Sequence, residues 1–350
     1  MISSIIKEDL DFIFSEFNED LKKLEGKTIL ITGANGFIAS YLVDLFILLN
    51  KHIKNHIKLI LINKNKISPN SRLSHLLNCP DISFIEADMG KEIKLPEGID
   101  IIFHAASRAN PISFSLDPLD TINANVNGMK TILDYSKNNL VDQILFFSSS
   151  EIYGNPPQTY LPTPENYFGN VNPLGERACY AESKRFSETL GIAYFNKYKT
   201  PIKFLRIFHT FGPGMRNDGK ALVDFFFKAR KKEDIYLKDD GSAKRSFTYI
   251  SDVIRGILIV LFKGKKSEAY NIGSGDDCIS MKELAEKIFK IEAPNNKVFV
   301  KESLMKDNLT GLDIRYPNIS KIKNIGYFNK IRFEVGLERL KRHYDEEDLS

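Results

Sequence analysis

The sequence contains little cysteine, with three in 350 residues. Cys79, Cys179 and Cys278 are odd in number and widely separated, without the short spacing typical of a metal site or of a disulfide framework. We therefore expect free thiols, no metal centre and a reducing compartment. These expectations make the cytoplasm the predicted location.

Long apolar runs are also missing. The longest, Leu42–Leu49, is interrupted by Asp44 and is far shorter than the roughly 20 residues that span a bilayer as a helix. The first residues reach Lys7, Glu8 and Asp9 without the basic start and apolar run of a signal peptide. We expect no membrane insertion and no membrane partner.

Neither sign of charge is in large excess. The chain carries 49 basic and 45 acidic side chains, a net charge of +4 that is dispersed along its whole length. An excess this small does not indicate a nucleic-acid surface, so no nucleic-acid partner is expected. With 43% hydrophobic and 27% charged residues, the composition is that of a globular protein with one large core and a smaller second one.

The first 25 residues have the pattern of an amphipathic helix. Charged residues separate apolar side chains that fall on one helical stripe. The stripe consists of Ile6, Leu10, Ile13, Phe14, Phe17, Leu21 and Leu24. Because the polar face is acidic, we expect this helix to pack on its own domain or on a partner subunit rather than on a membrane surface.

After Gly26, short β-branched runs alternate with segments of helical length. This alternation predicts βαβ units, and hence the α/β class with a doubly wound, Rossmann-type parallel sheet. The predicted strands are Thr28–Ile31, Lys58–Ile62, Ile82–Ile85, Ile99–Phe103, Gln143–Phe147 and Ile202–Ile207.

The pattern also predicts a division into two domains after the N-terminal helix. Residues 26–208 form the predicted dinucleotide-binding domain, to which residues 243–267 return. Residues 209–345, richer in glycine, proline and irregular spacing, form most of a smaller substrate domain. Its predicted helices are Ala221–Lys231 and Ser280–Ile291.

A glycine-rich loop follows the first predicted strand and precedes an apolar helix. Gly33 permits a tight turn, Gly36 lets a pyrophosphate approach the backbone, and Ala39 permits close helix packing. The helix N-terminus offers N–H groups and positive dipole to the anion. The predicted cofactor contacts in this loop are Gly33, Asn35, Gly36, Phe37 and Ile38.

The choice between NAD and NADP is left open at the end of the second strand. Asn63 stands where an acidic residue commonly binds the ribose of NAD, and it can still bond a ribose. Lys64 or Lys66 can hold a 2′-phosphate, so NAD is favoured only slightly over NADP. Further predicted cofactor contacts follow the third and fourth strands: Asp88, Met89, Ala105, Ala106 and Ser107.

A tyrosine and a lysine four residues apart provide a candidate general base. Tyr180 and Lys184 share one face of a predicted helix. The reference pKa of tyrosine is about 10, and a neighbouring ammonium favours the phenolate. The pair follows the glycine loop and the serine cluster Ser148–Ser150 in the chain order that such chemistry requires.

Together these motifs resemble the extended short-chain dehydrogenase/reductase family, also called the NAD-dependent epimerase/dehydratase family, from about Lys27 to Ile291. Within it, the sequence is most similar to the UDP-glucuronate decarboxylases, or UDP-xylose synthases. The runs that carry the resemblance are Ser148–Gly154, Asn172–Arg185, Arg206–Pro213, Asn217–Gly219 and Gly241–Asp252.

The resemblance implies catalytic roles for five residues. Tyr180 acts as the base, and Lys184 as its activator and as a ribose ligand. Ser149 bonds the sugar hydroxyl, and Ser150 and Glu151 lie beside the reacting carbon. The related dehydratases carry an Asp-Glu pair where this chain has Ser150 and Glu151, which disfavours loss of water.

The resemblance also implies substrate contacts. Arg245 would hold the diphosphate or the sugar carboxylate, and Glu151, His209 and Tyr249 complete the predicted set. The sequence departs from the decarboxylases at three positions, which usually carry Asn, Arg and Asp. Here those positions are His209, Gly214 and Ala181.

The predicted function is thus decarboxylation of a nucleotide-linked uronate, with UDP favoured, in nucleotide-sugar metabolism that supplies polysaccharide synthesis. The sugar is oxidised at carbon 4, loses carbon dioxide and is reduced again. The alternatives are an epimerase or dehydratase on the same scaffold and, more remotely, a non-catalytic cofactor-binding sensor. The resemblance further implies a homodimer formed through helices near Pro118–Lys137 and Ala178–Tyr198.

Overall fold

The structure is a computed structural model, and it describes residues 2–69, 71–109, 116–175, 177–237, 239–275, 278–295, 297–300 and 314–348. Its helices are α1 (Ser4–Lys22), α2 (Phe37–Asn50), α3 (Pro118–Asn138), α4 (Ala178–Tyr198), α5 (Ala221–Arg230), α6 (Ile250–Lys263), α7 (Met281–Glu292), α8 (Ser320–Lys323) and α9 (Phe333–Asp348). Glu176, inside one of the family motifs, lies outside the described residues, as does 301–313 within the predicted substrate domain.

The strands follow in chain order. They are β1 (Thr28–Thr32), β2 (Lys58–Asn63), β3 (Ile82–Glu86), β4 (Ile101–His104), β5 (Gln143–Ser149), β6 (Ile202–Ile207), β7 (Thr210–Phe211), β8 (Ile235–Leu237), β9 (Lys244–Ser246), β10 (Thr248–Tyr249), β11 (Ala269–Ile272), β12 (Cys278–Ser280), β13 (Val298–Val300) and β14 (Ile314–Arg315).

Seven of these strands form the main sheet, in the order β3-β2-β1-β4-β5-β6-β11, with every neighbouring pair parallel. The predicted α/β class and Rossmann-type sheet are confirmed, and all six predicted strands belong to it. The seventh, β11, was not predicted. Its four residues include the polar Asn271, so the strand becomes recognisable only through its pairing with β6.

The chain between β6 and β11 connects the main sheet to the small sheets. The predicted return to the first domain, 243–267, includes α6, which packs against β6 and β11. The strand that follows α6, β11, also belongs to the main sheet. Because the main strands are parallel, their carboxyl ends meet at one edge, where ligands bind in such sheets.

Helix α1 packs on its own chain, against α2, α6 and α9. Its apolar stripe is buried, Ile13 and Leu21 fully and Phe14 partly. Glu16 forms a two-pronged ion pair with Arg255 of α6, at 2.8 Å for both contacts. Of the two surfaces predicted for this helix, its own domain or a partner, the structure shows the first.

None of the described helices combines the length and apolar character needed to cross a membrane. Cys79, Cys179 and Cys278 are free thiols.

A buried lysine closes the end of α6. The ammonium of Lys203 donates to the carbonyls of Val260 and Leu261, at 2.9 and 2.7 Å, and to the side chain of Gln143 at 2.6 Å. Those carbonyls belong to the last turn of α6, where helices leave acceptors without partners. Burial lowers the pKa of Lys203 to about 8, and Lys266 adds to the effect.

We expect Lys203→Met to destabilise the protein by about 1–3 kcal/mol, because the buried carbonyls lose their donor. Chemical denaturation of the wild type and variant measures the difference. Lys51→Met, at an exposed lysine after α2, is the matched control and should leave stability unchanged. Equal midpoints for all three proteins would contradict this role of Lys203.

Candidate active site

The loop between β1 and α2 has the backbone geometry of a phosphate-binding turn. Gly33 has φ +65°, and a Cβ at this position would lie 2.8 Å from the Cα of Ala106, so only glycine fits. Gly36 precedes α2 and provides no side-chain cap, which leaves the helix N-terminus at Phe37 and Ile38 open to an anion. These residues fit the predicted pyrophosphate site.

Asn63, at the end of β2, holds this loop. Its side-chain oxygen accepts a hydrogen bond from the backbone N–H of Asn35 at 2.8 Å. The side-chain oxygen of Asn35 is itself buried and has no protein partner in the described structure. Asn63 thus has a structural contact in addition to the predicted ribose contact, and Asn35 retains an acceptor for a ligand.

The acidic residue after β3 engages Lys64. The ammonium of Lys64 lies 2.8 Å from Asp88 and 3.0 Å from Asp120. Burial raises the pKa of Asp88, but the hydrogen bonds from Lys64 and from the backbone N–H of Gly90, together with nearby lysine charges, outweigh burial and lower the pKa overall. Because two carboxylates already neutralise Lys64, it is a poor ligand for a 2′-phosphate. The neighbouring Met89 packs in the core.

The residues that follow β4 pack against the glycine loop. Ala106 donates its backbone N–H to the hydroxyl of Thr32 at 3.1 Å, and that hydroxyl lies 2.7 Å from Nδ1 of the buried His104. Ala105 follows β4 directly, and its backbone N–H donates to the carbonyl of Thr32. The hydroxyl of Ser107 is buried without a protein partner in the described structure, so it remains available to a ligand.

The predicted catalytic pair lies on α4 and is buried. The ammonium of Lys184 donates to the carbonyl of Phe147 at 2.7 Å and lies 5.9 Å from the centre of the Tyr180 ring. Burial lowers the pKa of Lys184 to about 7, although the charge of Glu188 opposes the shift. Burial raises the pKa of Tyr180 to about 12, although a hydrogen bond with Ser149 opposes it.

Burial acts on this pair in addition to the effect predicted from its spacing. The four-residue spacing predicted that Lys184 would lower the pKa of Tyr180. In the folded protein burial raises the pKa of Tyr180, and the groups that lower it are Ser149, through its hydrogen bond, and Arg177, through its charge. Ser149 is therefore the described residue that favours the phenolate most directly.

Ser149, Ser150 and Glu151 lie at the carboxyl end of β5 and in the single helical turn Ser150–Tyr153. The backbone N–H of Glu151 donates to the hydroxyl of Ser149 at 3.2 Å. This bond closes the turn and orients the serine toward Tyr180. Ser150 is buried at the start of the same turn.

Glu151 forms a buried ion pair with an arginine that was not predicted from the sequence. Nη1 of Arg315 donates to its carboxylate at 2.7 Å, and Arg177 lies 3.8 Å away. Burial raises the pKa of Glu151, but the two guanidinium groups outweigh burial and hold the pKa below its ordinary value. Glu151 is thus ionised near neutral pH.

Arg315 reaches the site through the small sheet. It lies on β14, which pairs in parallel with β9, and the register sets Arg315 opposite Arg245. The pairing sets two arginines side by side on adjacent strands of this sheet. Nη1 of Arg245 donates to the carbonyl of Lys244 at 2.8 Å. No local sequence pattern marks Arg315, which stands in a two-residue strand.

His209 lies close enough to Glu151, Arg245 and Arg315 for their charges to act on its ring. Burial lowers its pKa to about 3, and the positive charge of Arg245 lowers it further. Its Nε2 atom has no hydrogen-bond partner among the described residues. The ring is therefore neutral and keeps one polar atom for a ligand.

Tyr249, predicted as a substrate contact, is buried between α1, α9 and β10. It is 1% exposed, and its hydroxyl donates to Asp9 of α1 at 2.8 Å. Arg339 of α9 donates to the same hydroxyl at 3.3 Å. The hydroxyl thus joins α1 and α9 to β10, and the substrate contact of Tyr249 stays a prediction.

Within the described part of the chain, no group of three or more His, Cys, Asp or Glu side chains comes together in a way that could hold a metal ion.

The glycine loop, the serine hydroxyl and the buried tyrosine and lysine lie along one edge of a Rossmann-type sheet. This combination defines the class of dinucleotide-dependent enzymes that oxidise or reduce an alcohol or ketone. The model of the NAD dependent epimerase/dehydratase family matches residues 29–273. The chain belongs to this family, which agrees with the prediction of NAD as cofactor.

Curated relatives narrow the comparison. UDP-glucuronic acid decarboxylase 3 of Arabidopsis thaliana is 34% identical over 319 residues, which cover 90% of this chain and 88% of the relative. UDP-glucuronic acid decarboxylase 1 of Xenopus tropicalis is 29% identical over 329 residues, or 93% of this chain and 74% of the relative.

Solved structures share the fold. UDP-glucose 4-epimerase of Thermotoga maritima has a TM-score of 0.77 at 22% identity, and the match covers 92% of this chain and all of that one. UDP-glucuronic acid 4-epimerase of Bacillus cereus, in complex with UDP-glucuronic acid and NAD, has a TM-score of 0.75 at 24% identity and covers 91% and 99%. At these identities the likeness supports the fold alone.

Proposed function

We propose that this chain is a NAD-dependent decarboxylase of a UDP-linked uronate, with UDP-glucuronate as the substrate. The observation that carries the proposal is the ionised Glu151, paired with Arg315 and accompanied by Arg245, beside the Tyr180–Ser149 hydrogen bond. A sugar without a carboxylate has no negative group on its ring for these guanidinium groups to bind. The curated relatives with this activity cover most of the chain.

The cofactor site fits NAD. Gly33 and Gly36 would receive the pyrophosphate, and the unpartnered oxygens of Asn35 and Ser107 would bond the nucleotide. The pairing of Lys64 with Asp88 and Asp120 disfavours NADP. NAD would supply a hydride acceptor and a positively charged ring, which favours ionisation of a nearby phenol.

The chain's own residues would perform the remaining steps. Tyr180 takes the proton of the 4-hydroxyl while Ser149 holds the oxygen. The resulting 4-ketone lies β to the carboxylate on carbon 5, so the bond to the carboxyl carbon breaks and its electrons move to the ketone oxygen, where Tyr180 and Ser149 stabilise the enolate. Glu151 would lie beside the reacting carbon and would relay a proton from water to carbon 5. The proton on Tyr180 and the hydride held by the cofactor would then return to the 4-ketone, which restores the alcohol and the starting cofactor.

Incubation with UDP-glucuronate and NAD tests the proposal. We expect a sugar nucleotide lighter by the mass of carbon dioxide, together with carbon dioxide itself. UDP-, GDP-, CDP- and dTDP-linked sugars tested in parallel identify the nucleotide. Mass analysis that finds UDP-glucuronate unchanged, with no carbon dioxide released, would contradict the decarboxylase proposal.

A 4-epimerase is the second candidate, because the solved structures with this fold include UDP-sugar 4-epimerases. It would use the same Tyr180 and Lys184 but would not break a carbon–carbon bond. A product of unchanged mass and inverted carbon 4 would favour it. A dehydratase is disfavoured by Ser150, and a non-catalytic sensor by the intact Ser149, Tyr180 and Lys184.

Arg245 should distinguish acidic from neutral substrates. A guanidinium matches a carboxylate with two parallel hydrogen bonds. We expect Arg245→Ala to reduce kcat/KM for UDP-glucuronate by about 10- to 100-fold, the equivalent of one charged hydrogen bond. Binding of UDP-glucose, measured by calorimetry, should change much less. Equal losses for both sugars would indicate that Arg245 binds the diphosphate instead.

We further propose a homodimer formed through α3 and α4, which pack against each other. Leu119 and Phe186 on these helices are 70% and 52% exposed, and such apolar surface is typical of an interface. Light scattering should give about twice the 39.9 kDa of one chain. Phe186→Glu should yield monomers, whereas Leu140→Glu, at an exposed leucine after α3, should not. A wild type that is only monomeric would contradict the dimer.

The free thiols and the nucleotide-sugar substrate support a cytoplasmic location, which we propose for this chain.

A further inference from the structure

A buried ion pair lies beneath the candidate site and takes no part in the roles described so far. Arg206, near the end of β6, forms two parallel contacts with Glu188 of α4, from Nε at 3.1 Å and from Nη2 at 2.7 Å. Both side chains are only about one-eighth exposed. A two-pronged pair of this kind restricts orientation as well as distance.

The pair holds both ends of the turn that carries Ser149 and Glu151. At one end, the hydroxyl of Ser148 donates to the carboxylate of Glu188 at 2.5 Å. At the other end, Nη1 of Arg206 donates to the hydroxyl of Tyr153 at 2.9 Å. Tyr153 in turn donates to Asn271 of β11 at 2.7 Å.

Glu188 also lies one helical turn from Lys184, on the same side of α4. The titratable neighbours of Lys184 are Tyr180 and Glu188 on α4 and His104 on β4. Burial lowers the pKa of His104 to about 3, so its ring is neutral. Among these groups Glu188 supplies the negative charge, and it raises the pKa of Lys184 against the effect of burial.

We propose that the Arg206–Glu188 pair is a positioning device for the reaction. It aligns the turn bearing Ser149 and Glu151 with the helix bearing Tyr180 and Lys184, and Glu188 favours the ammonium form of Lys184. The inference rests on the proposed catalytic roles of these residues. Neither Arg206 nor Glu188 touches the reacting atoms.

Arg206→Lys tests the alignment. It retains the positive charge but cannot make the parallel contacts to Glu188 while also bonding Tyr153. We expect kcat to fall at least about 10-fold on the best sugar nucleotide, while KM for that substrate and the affinity for NAD change less than about threefold. The reason is that a small displacement of catalytic groups lowers turnover more than it lowers binding. A wild-type kcat in a folded Arg206→Lys variant would overturn the alignment.

Glu188→Gln tests the charge. With the carboxylate removed, Lys184 should lose its proton at a pH about one to two units lower, the order expected for the loss of one nearby opposite charge. The alkaline limb of the kcat profile should shift by the same amount. Glu165→Gln is the matched control, because Glu165 bonds Asn271 in the same network and is absent from the charges that act on Lys184. Glu165→Gln should shift neither the titration of Lys184 nor the alkaline limb of the kcat profile.

The titration of Lys184 can be followed without substrate by NMR of ¹³C-labelled lysine, with Lys184→Arg used to assign the signal. This readout separates the inference from the proposed function, since it decides the role of Glu188 even if no sugar nucleotide is turned over. Unshifted titration in folded Glu188→Gln would overturn the electrostatic role. Should that variant unfold, Arg206→Met combined with Glu188→Gln removes both buried charges together and permits the same comparison.

Discussion

Replacing Tyr180 by phenylalanine should reduce turnover of the sugar nucleotide by about 10²–10⁴-fold, the usual contribution of a positioned general base. The phenol oxygen is the atom that Ser149 bonds, and the ring packs in the wall of the site. Phenylalanine retains the ring and removes only that oxygen. Affinity for NAD, measured by calorimetry, should therefore be unchanged.

The matched control for this variant lies on the same helix. The hydroxyl of Tyr194 donates to Asp134 of α3 at 2.5 Å, outside the candidate site. Tyr194→Phe should keep wild-type turnover. If Tyr180→Phe retained most of the wild-type rate, the assignment of the base would be wrong, and another proton acceptor would have to be sought.

Replacing Glu151 by glutamine should separate the first oxidation from the later steps. The variant keeps the shape of the side chain but not the charge that Arg315 and Arg177 hold ionised. We expect NADH absorbance to appear on addition of UDP-glucuronate and to persist. Release of carbon dioxide and product should slow by about 10²–10⁴-fold, as for loss of an acid–base group.

Glu182→Gln provides the control for that variant, because Glu182 is a half-exposed partner of Arg185 on the outside of α4. It should behave as the wild type. If Glu151→Gln released carbon dioxide at the wild-type rate, Glu151 would serve only to orient Arg315, and the proton relay would have to be assigned elsewhere. If instead it failed even to reduce NAD, Glu151 would be needed before decarboxylation.

Features that depend on neighbours in the chain were predictable from the sequence. The six strands from β1 to β6 were recognised by their apolar runs, and the helix and strand ends shifted by no more than about two or three residues. The glycine loop was recognised because Gly33 and Gly36 serve a turn that is completed within a few residues. Tyr180 and Lys184 share a helical face for the same local reason.

Features that depend on burial and on distant contacts were decided by the tertiary structure. β11 is a strand because β6 lies beside it, and Arg315 reaches Glu151 because β14 pairs with β9 in one register. The hydroxyl of Tyr249 bonds Asp9 because α1 packs against α6 and α9, which both contact β10.

The protonation of Tyr180 and Lys184 also depends partly on the local sequence and partly on the tertiary structure. The spacing of Tyr180 and Lys184 determined that they would be neighbours, but the energetic cost of burying each charge set the direction of both pKa shifts. That cost depends on how much water the surrounding elements exclude. A local sequence pattern specifies which side chains can meet, whereas the dielectric environment in which they meet is a property of the assembled fold.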